Sequence, residues 1–556
     1  MIVSKRLGYI VFCYAVLVSA LLIYRNVAEY ILPFCCSLGV FFLLVAPFSL
    51  KYKKISYLFM WIYALIVGLQ MASLWHSNQL IQDLMISNIR AVAAVGEYVF
   101  YSSAAIVAVF LFISVWGIGG KTFNLSLRRY FFCVTLIGGL FVFVSFDKLP
   151  VYSFVKAFTM SLTQSNFKSD KKIRAQQKRI YGKNWVYQNN KENIPDLRGK
   201  NIVTIFSEGF SAKILDKNNQ YVNLTFNISQ LMNKSVWFDN YFNHTASTYR
   251  GIRGQLSSSY QYAGVGDYPN ISVDEMKSII EDTVINIPAI LRDNGYHSYF
   301  LCAHAPSEHM ISYLNTFGFD RVFHAADFID DDRALSDREL FYYLGELLKS
   351  GQLQEPYFIG VYNIGTHVGR SSPDAVYLFN GEEINEVVNR FHNLDIMFGR
   401  FLRTVDENAT LQQKTAIIFT TDHATFPTRD YQKAFGDYRT YFMSTIPLVL
   451  YYDGIKPQRI DAEARNSLDF APTLLNWLRI NNAYNYFLGC SLYDDECRWP
   501  FEFIYSMGQH SRYTTNGILL HKSKLHDKDL LARIYDFYHL SESDVGKWIN
   551  YSDKKD

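Results

Sequence analysis

Five apolar stretches, at residues 7–24, 30–50, 55–74, 98–119 and 130–146, crowd into the first 150 positions of this 556-residue chain. Each is close to the ~17–25 residues that an α-helix needs to cross the hydrocarbon core of a bilayer. A backbone in lipid must satisfy its own hydrogen bonds, so each stretch is read as a transmembrane helix. No small-residue cleavage site follows the first stretch and four more spans do, which makes it an anchor rather than a removable signal. Lys5 with Arg6, Lys51 with Lys53 and Lys54, and Lys121 with Arg128 and Arg129 fall on one side of this arrangement, whereas Arg25 is offset by Glu29 and Arg90 by Asp83 on the other. Excess Lys and Arg marks the cytoplasmic side. With the N-terminus inside, five crossings place everything after Phe146 outside the cytoplasmic membrane, in the periplasm where the cell has an outer membrane.

Residues 148–200 read as a linker with a basic run, Lys168, Lys171, Lys172, Arg174, Lys178 and Arg179. That run is either a segment lying on anionic head groups or a solvated helix face. From residue 201 short apolar runs alternate with amphipathic ones, the pattern of an α/β domain. Strands are expected at 201–207, 298–303, 357–363, 416–421 and 446–452, and helices near 287–293, 335–348, 384–405 and 468–478. A net charge of +3 with no concentrated basic face excludes a nucleic-acid binder. Of the seven cysteines, Cys490 and Cys497 stand close in a late loop and can close a disulfide if the compartment is oxidising. Residues 501–556 are aromatic, then charged, and carry no chemical signal.

Two of the expected strands run into groups that can ligate or catalyse: 201–207 into Glu208, and 416–421 into Asp422 and His423. Open parallel sheets build their sites at the carboxyl ends of strands. Thr248 lies among small residues just before a run that can wind into a helix, and we read it as the nucleophile. A threonine hydroxyl is a poor nucleophile at neutral pH and needs a base or a metal beside it. Glu208, Asp422, His423 and Thr248 together offer carboxylates, an imidazole and a hydroxyl, a donor set that suits zinc or manganese. An Asp-His pair alone is more often a cap or a satisfied hydrogen-bond pair, and the four residues together carry the metal reading. His304 and His367 also end expected strands, as a proton donor and a stabiliser of phosphoryl charge or as ordinary rim histidines. Arg250 and Arg253 can clamp phosphate oxygens or be solvated.

Ile-Phe-Ser-Glu208, Ala-Ser-Thr248, Gly-Thr-His367 and Thr-Thr-Asp422-His423, in that order behind apolar spans and a basic linker, resemble the membrane-anchored phospho-head-group transferases. These are the lipoteichoic-acid synthases, the osmoregulated-glucan phosphoglycerol transferases and the lipid A phosphoethanolamine transferases of the alkaline phosphatase and sulfatase superfamily. Leu314-Asn-Thr-Phe-Gly-Phe-Asp320 and Asp469-Phe-Ala-Pro-Thr-Leu-Leu475 extend the likeness over nearly the whole chain. The resemblance implies a bundle of five transmembrane helices (1–147), a juxtamembrane linker (148–200) and an extracytoplasmic α/β sulfatase-like catalytic domain with a mixed central sheet (201–556). It implies one divalent metal, Zn2+ or Mn2+, held by Glu208, Thr248, Asp422 and His423. His304 and His367 would line the pocket in catalysis and substrate binding, with Arg250 and Arg253 on the substrate.

The implied reaction moves a phosphorylated head group from a membrane phospholipid, through a phosphothreonine, to a surface glycan such as lipopolysaccharide or its O-antigen. Phosphoethanolamine is slightly favoured over phosphoglycerol, because Glu308 and nearby tyrosines can hold an ammonium. Two departures separate this chain from its likenesses. Ser307-Glu-His-Met-Ile311 replaces the Phe-Trp-Asn-Arg-like run of the lipoteichoic-acid synthases, and Asp422-His-Ala-Thr-Phe-Pro427 replaces the Asp-His-Gly-Glu of the phosphoethanolamine transferases. The alternatives are a metal-dependent phosphodiesterase or sulfatase-type hydrolase, and an inactive glycan-binding membrane protein. Thr248-Tyr-Arg-Gly-Ile does not match the Cys-x-Pro-x-Arg context of a formylglycine sulfatase. A two-metal site would need about twice as many ligands.

Overall fold

A computed structural model of the chain describes residues 2–25, 27–45, 52–77, 80–81, 97–115, 122–124, 134–137, 146–164, 183–186, 194–216, 223–245, 248–259, 286–305, 309–369, 386–439, 443–485, 489–494, 505–508 and 511–514, with a few isolated positions between them. The chain forms two units, Met1–Asn166 with Pro427–Arg429, and Phe167–Phe426 with Asp430–Asp556.

The first unit contains helices α1 (Lys5–Tyr24), α2 (Ile31–Val45), α3 (Lys53–Ser77), α4 (Glu97–Val115) and α5 (Pro150–Gln164). Leu7, Ile10, Tyr14, Val18 and Leu22 recur at helical spacing and form the buried seam of α1. Its other face carries Tyr9, Phe12, Val16 and Ile23, all exposed. A helix apolar on both its packed and its exposed side belongs in lipid rather than water. Gly68 brings α3 against the backbone of Val107 in α4, the close approach that small residues permit between membrane helices. Two polar contacts inside this unit are paired, as apolar surroundings favour: Ser37 Oγ and Tyr63 Oη lie 3.0 Å apart, and the Tyr14 hydroxyl meets the Phe110 carbonyl at 2.5 Å.

The expectation of five spans is corrected to three candidates among the described residues, Arg6–Tyr24, Ala28–Val45 and Lys53–His76. The fourth stretch does form α4, whose described apolar part is Phe100–Ser114, and residues 116–119 of that stretch lie outside the described residues. At ~1.5 Å per residue that part rises ~22 Å, short of a ~30 Å hydrocarbon core. Of the fifth stretch, 130–146, only scattered positions are described and none forms a helix of spanning length. The basic run at 168–179 lies outside the described residues.

The second unit is built on an eight-stranded mixed sheet. Its strands are β1 (Asn201–Ser207), β2 (Val236–Asp239), β3 (His297–Cys302), β4 (Arg321–Phe323), β5 (Tyr357–Tyr362), β6 (Thr415–Thr421), β7 (Val449–Tyr451) and β8 (Gln458–Asp461), in the order β8-β2-β7-β6-β1-β5-β3-β4. β6, β1, β5, β3 and β4 run parallel, and β7 is antiparallel to both β2 and β6. β1, β5 and β6 are buried along their whole length, which is why they read as continuous apolar runs. Both faces are covered. Ile202 and Phe206 join one core with α6 (Thr248–Ser257) and α9 (Phe470–Trp477), while Val203 and Ile205 join the other with α7 (Asp337–Lys349) and α8 (Glu386–Asp406). A capping box fixes the start of α7: the Ser336 side chain accepts from the Glu339 N–H at 3.2 Å and the Glu339 carboxylate from the Ser336 N–H at 2.9 Å.

The five expected strands correspond to β1, β3, β5, β6 and β7. The short strands β2, β4 and β8 have half-buried or exposed positions and went unread. Cys490 is disulfide-bonded; Cys497, its expected partner, and most of the tail after residue 500 lie outside the described residues.

Candidate active site

Parallel strands put their carboxyl ends at one edge, and register decides which residues meet there. Ser207 of β1 stands opposite Thr421 of β6, so the next residues, Glu208 and Asp422, emerge side by side. Glu208 turns immediately into Gly209, whose φ of +54° suits glycine and whose N–H donates to Asp422 Oδ1 at 2.8 Å. The His423 N–H donates to the same oxygen at 2.7 Å. Asp422 Oδ2 is buried and makes no hydrogen bond.

Glu208, Asp422 and His423 are all buried and offer donor atoms within 4.8 Å of one another, the one such group among the described residues. His423 Nδ1 lies 2.8 Å from the Ala424 carbonyl, which can only accept, so Nδ1 carries the hydrogen and Nε2 the lone pair. That Nε2 sits 3.5 Å from Glu208 Oε1 and 3.5 Å from Asp422 Oδ2. Three acceptors facing one another are mutually repulsive unless a cation or a proton lies between them. This donor set, with its orphaned Asp422 oxygen, fits a divalent metal. Without one, burial and the charge of Glu208 push Asp422 well above the usual carboxylate range. Burial also pushes Glu208 up, but the electrostatic pull of the neighbouring His367 and His423 rings and the Tyr362 hydrogen bond outweigh it and hold Glu208 at about 2.

Thr248 is the first residue of α6, at the electropositive end of that helix. Its Oγ1 donates to Glu208 Oε2 at 3.0 Å and lies 3.4 Å from the Tyr362 hydroxyl, which also donates to Glu208 Oε2. Two glycines bring α6 this close. A Cβ on Gly251 would fall 2.0 Å from the Asp422 carbonyl, and one on Gly254 would fall 1.9 Å from His244 Nε2. His244 is itself buried, and burial lowers its pKa to about 3. It accepts no side chain larger than hydrogen beside it. Gly251→Ala is therefore expected to displace Asp422, costing roughly 1–3 kcal/mol of stability and most of the bound metal; thermal melting and metal analysis of the variant check both.

Of the other expected residues, His304 and His367 stand near Tyr362 and Glu208. His304 stacks on the Tyr362 ring, centroids 5.6 Å apart and planes within 9°, and its Nδ1 is 3.4 Å from Cys302 Sγ. His367 Nδ1 donates to the Val368 carbonyl at 2.7 Å, so its Nε2 carries the lone pair. Neither belongs to the buried donor group. At ~100° per residue, α6 turns Arg250 and Arg253 by ~200° and ~140° away from Thr248. Arg253 is 5 % exposed, with a buried Nε that makes no hydrogen bond.

Several site-supporting residues were not read from sequence. Asn363 Oδ1 accepts the Glu208 N–H at 3.0 Å, and Thr366 Oγ1 donates to the Glu208 carbonyl at 2.6 Å. Asn363 Nδ2 donates to Asp337 Oδ1 at 3.1 Å, and Asn393 Nδ2 to Asp337 Oδ2 at 3.2 Å. Gly365 lies so near that carboxylate that a Cβ would come within 2.3 Å of it. The buried Arg390 donates through Nη1 to the His367 carbonyl. Tyr362 also went unread, because a tyrosine at the end of a buried apolar strand reads as core.

A family model described as Sulfatase matches residues 200–480, which is 281 of the 556 residues. The chain belongs to the sulfatase family. The matched span contains β1 through α9 and every site residue named above, and leaves the apolar helices of this sulfatase-family protein outside it. Among curated proteins it is similar to "Lipoteichoic acid synthase-like YvgJ" of Bacillus subtilis (strain 168), 21% identical over 358 residues, covering 59% of this chain and 54% of that protein. The chain thus spans about half the length of the curated relative it matches. Similar solved structures include an alkaline phosphatase superfamily protein from Vibrio parahaemolyticus, 17% identical with a TM-score of 0.48, covering 69% of this chain and 98% of that one. The lipoteichoic acid synthase LtaP from Listeria monocytogenes is 16% identical with a TM-score of 0.45, covering 69% and 97%.

Proposed function

We propose that this sulfatase-family chain is a metal-dependent hydrolase of phosphate diesters, acting through Thr248 on the head group of a membrane phospholipid. One observation carries the reading: a threonine hydroxyl, 3.0 Å from Glu208, borders the buried Glu208–Asp422–His423 group at a helix N-terminus. A divalent metal held by those three residues and Thr248, Zn2+ or Mn2+, would lower the pKa of the Thr248 hydroxyl and offset phosphoryl charge. Thr248 Oγ1 attacks phosphorus and forms a phosphothreonine, while the bond to the diacylglycerol oxygen breaks and that oxygen takes the proton Thr248 gives up, relayed by His304 or His367. Water then attacks the phosphothreonine, releases the phosphorylated head group and restores the Thr248 hydroxyl. Arg250, turned away from Thr248, is assigned to the substrate beyond the reacting phosphorus, and Arg253, buried on another side of α6, is not.

Family membership favours this hydrolytic reading over the transfer expected from sequence. Transfer of the head group to a glycan hydroxyl, lipopolysaccharide or O-antigen included, stays as the second reading, because the membrane-type helices and the name of the curated relative point to envelope chemistry. Glu308, on which the leaning to phosphoethanolamine rested, lies outside the described residues. Full-length protein in detergent, stripped and reloaded with Zn2+ or Mn2+, should release diacylglycerol from phosphatidylethanolamine or phosphatidylglycerol. Head group recovered free supports hydrolysis, and head group recovered on added lipopolysaccharide supports transfer. No diacylglycerol from either lipid would sink both.

The multi-pass membrane helices support an extracytoplasmic site. Three crossings, like any odd number, carry a chain that starts inside to the outside. We accordingly assign 201–556 to an extracytoplasmic catalytic domain, periplasmic in a cell with an outer membrane. Alkaline phosphatase fused after residue 200 is expected to be active and fused after Lys53 inactive; the reverse pattern would contradict the placement.

A further inference from the structure

Tyr362 ends β5 opposite Phe206 of β1 and Cys302 of β3, so it sits on the most buried part of the sheet rather than on a loop. It is 1 % exposed, and its ring is held between the sheet and the His304 imidazole stacked upon it. A side chain placed this way is fixed to the accuracy that transition-state contacts require. Among the described residues its hydroxyl meets only groups of the candidate site. It donates to Glu208 Oε2, the oxygen to which Thr248 also donates, and it lies 3.4 Å from Thr248 Oγ1. Glu208 thereby divides its two oxygens, Oε2 toward the threonine and tyrosine hydroxyls and Oε1 toward His423 Nε2.

We propose that Tyr362 is a further catalytic residue, whose hydroxyl donates to a non-bridging oxygen of the phosphoryl group as Thr248 attacks. The inference rests on the reading of Thr248 as nucleophile. An attacking oxygen approaches phosphorus from ~3–3.5 Å, so the oxygens on that phosphorus enter the space beside Thr248 Oγ1 that the Tyr362 hydroxyl borders. Before attack the hydroxyl is engaged by Glu208 Oε2. As negative charge builds on the phosphoryl oxygens it turns to the stronger acceptor, while the Thr248 proton leaves through the His304 or His367 relay. Tyr362 gives up no proton in the cycle; it forms one hydrogen bond and exchanges another. A donor aimed at developing charge stabilises the transition state more than the ground state.

The test compares full-length, metal-reloaded wild type with Tyr362→Phe on bis(p-nitrophenyl) phosphate. The substitution keeps the ring, the stack on His304 and the Thr248 bond to Glu208. kcat is expected to fall about 100-fold, with KM moving less than about twofold. Metal content by mass spectrometry should match wild type, and single-turnover formation of phosphothreonine should slow by the same factor as kcat. A kcat within about threefold of wild type overturns the inference, and so does a loss of activity matched by an equal loss of metal, which would mean that the hydroxyl only shapes the ligand Glu208. An inactive wild type defeats the threonine mechanism itself and this inference with it, and is told apart from a defect confined to Tyr362→Phe.

Discussion

Replacing Thr248 by alanine is expected to lower turnover by about 10⁴-fold or more, the scale on which removing a nucleophile from a catalytic unit acts. The loss should leave the fold and the metal in place. Thr248 is half-buried at the first turn of α6 and among the described residues its hydroxyl meets Glu208 and Tyr362, so deleting it removes no core packing. The metal would keep Glu208, Asp422 and His423. Thr248→Ser retains the hydroxyl at the same helix position and should retain most of the activity. A serine variant as dead as the alanine would mean that the residue acts by shape rather than by attack. The measurements are initial rates on a phosphodiester, together with the metal content of each variant.

Asp422 and His423 should respond differently. Asp422→Ala or His423→Ala is expected to lower metal affinity by more than about 100-fold, beyond what loss of an outer hydrogen bond costs, and activity with it. Asp422→Asn separates function from stability. The amide oxygen can still accept from Gly209 and His423, while the charge beside Glu208 disappears. The metal-free variant should then melt at or above the wild-type temperature although it binds metal poorly. The sign follows from linkage. Asp422 has its pKa raised in the folded state, so metal-free wild type holds an extra proton there and loses stability as pH rises above the unfolded value of about 4 toward the raised one. Glu208, held at about 2, works in the opposite direction, and its contribution is lost only as pH falls from about 4 toward 2. Bound metal should cancel the Asp422 effect. Melting curves across that pH range, with metal and with chelator, check the whole pattern; an Asp422→Asn variant less stable than wild type in chelator would contradict it.

How far the sequence could be read depended on how locally each feature is written. β1 and β6 are buried end to end, so their apolar runs and the Glu208 and Asp422-His423 that follow them were visible from a few neighbouring residues. Thr248 was visible as a hydroxyl at the start of an amphipathic helix. Tyr362 was hidden because a tyrosine on an apolar strand reads as core, and only the register with β1 shows that its hydroxyl meets Glu208. Asp337 and Arg390 were hidden more deeply: each supports the loop after β5 from a different helix, through contacts that no spacing encodes. β2, β4 and β8 are three or four residues long, too short for alternation to show. The membrane helices failed in another way. Apolar composition marked five stretches, whereas among the described residues three helices are long and apolar enough to cross a bilayer.

The central claim is that Thr248 becomes covalently bound to the phosphoryl group, and mass spectrometry of the Thr248 peptide addresses it most directly. Full-length, metal-loaded protein would be incubated with phosphatidylethanolamine or phosphatidylglycerol, quenched in acid and digested. The account predicts an added phosphorylated head group on Thr248, naming ethanolamine or glycerol by its mass, absent from Thr248→Ala and from chelator-treated protein. Diacylglycerol release at full rate with Thr248 unmodified at every time point sampled would contradict it.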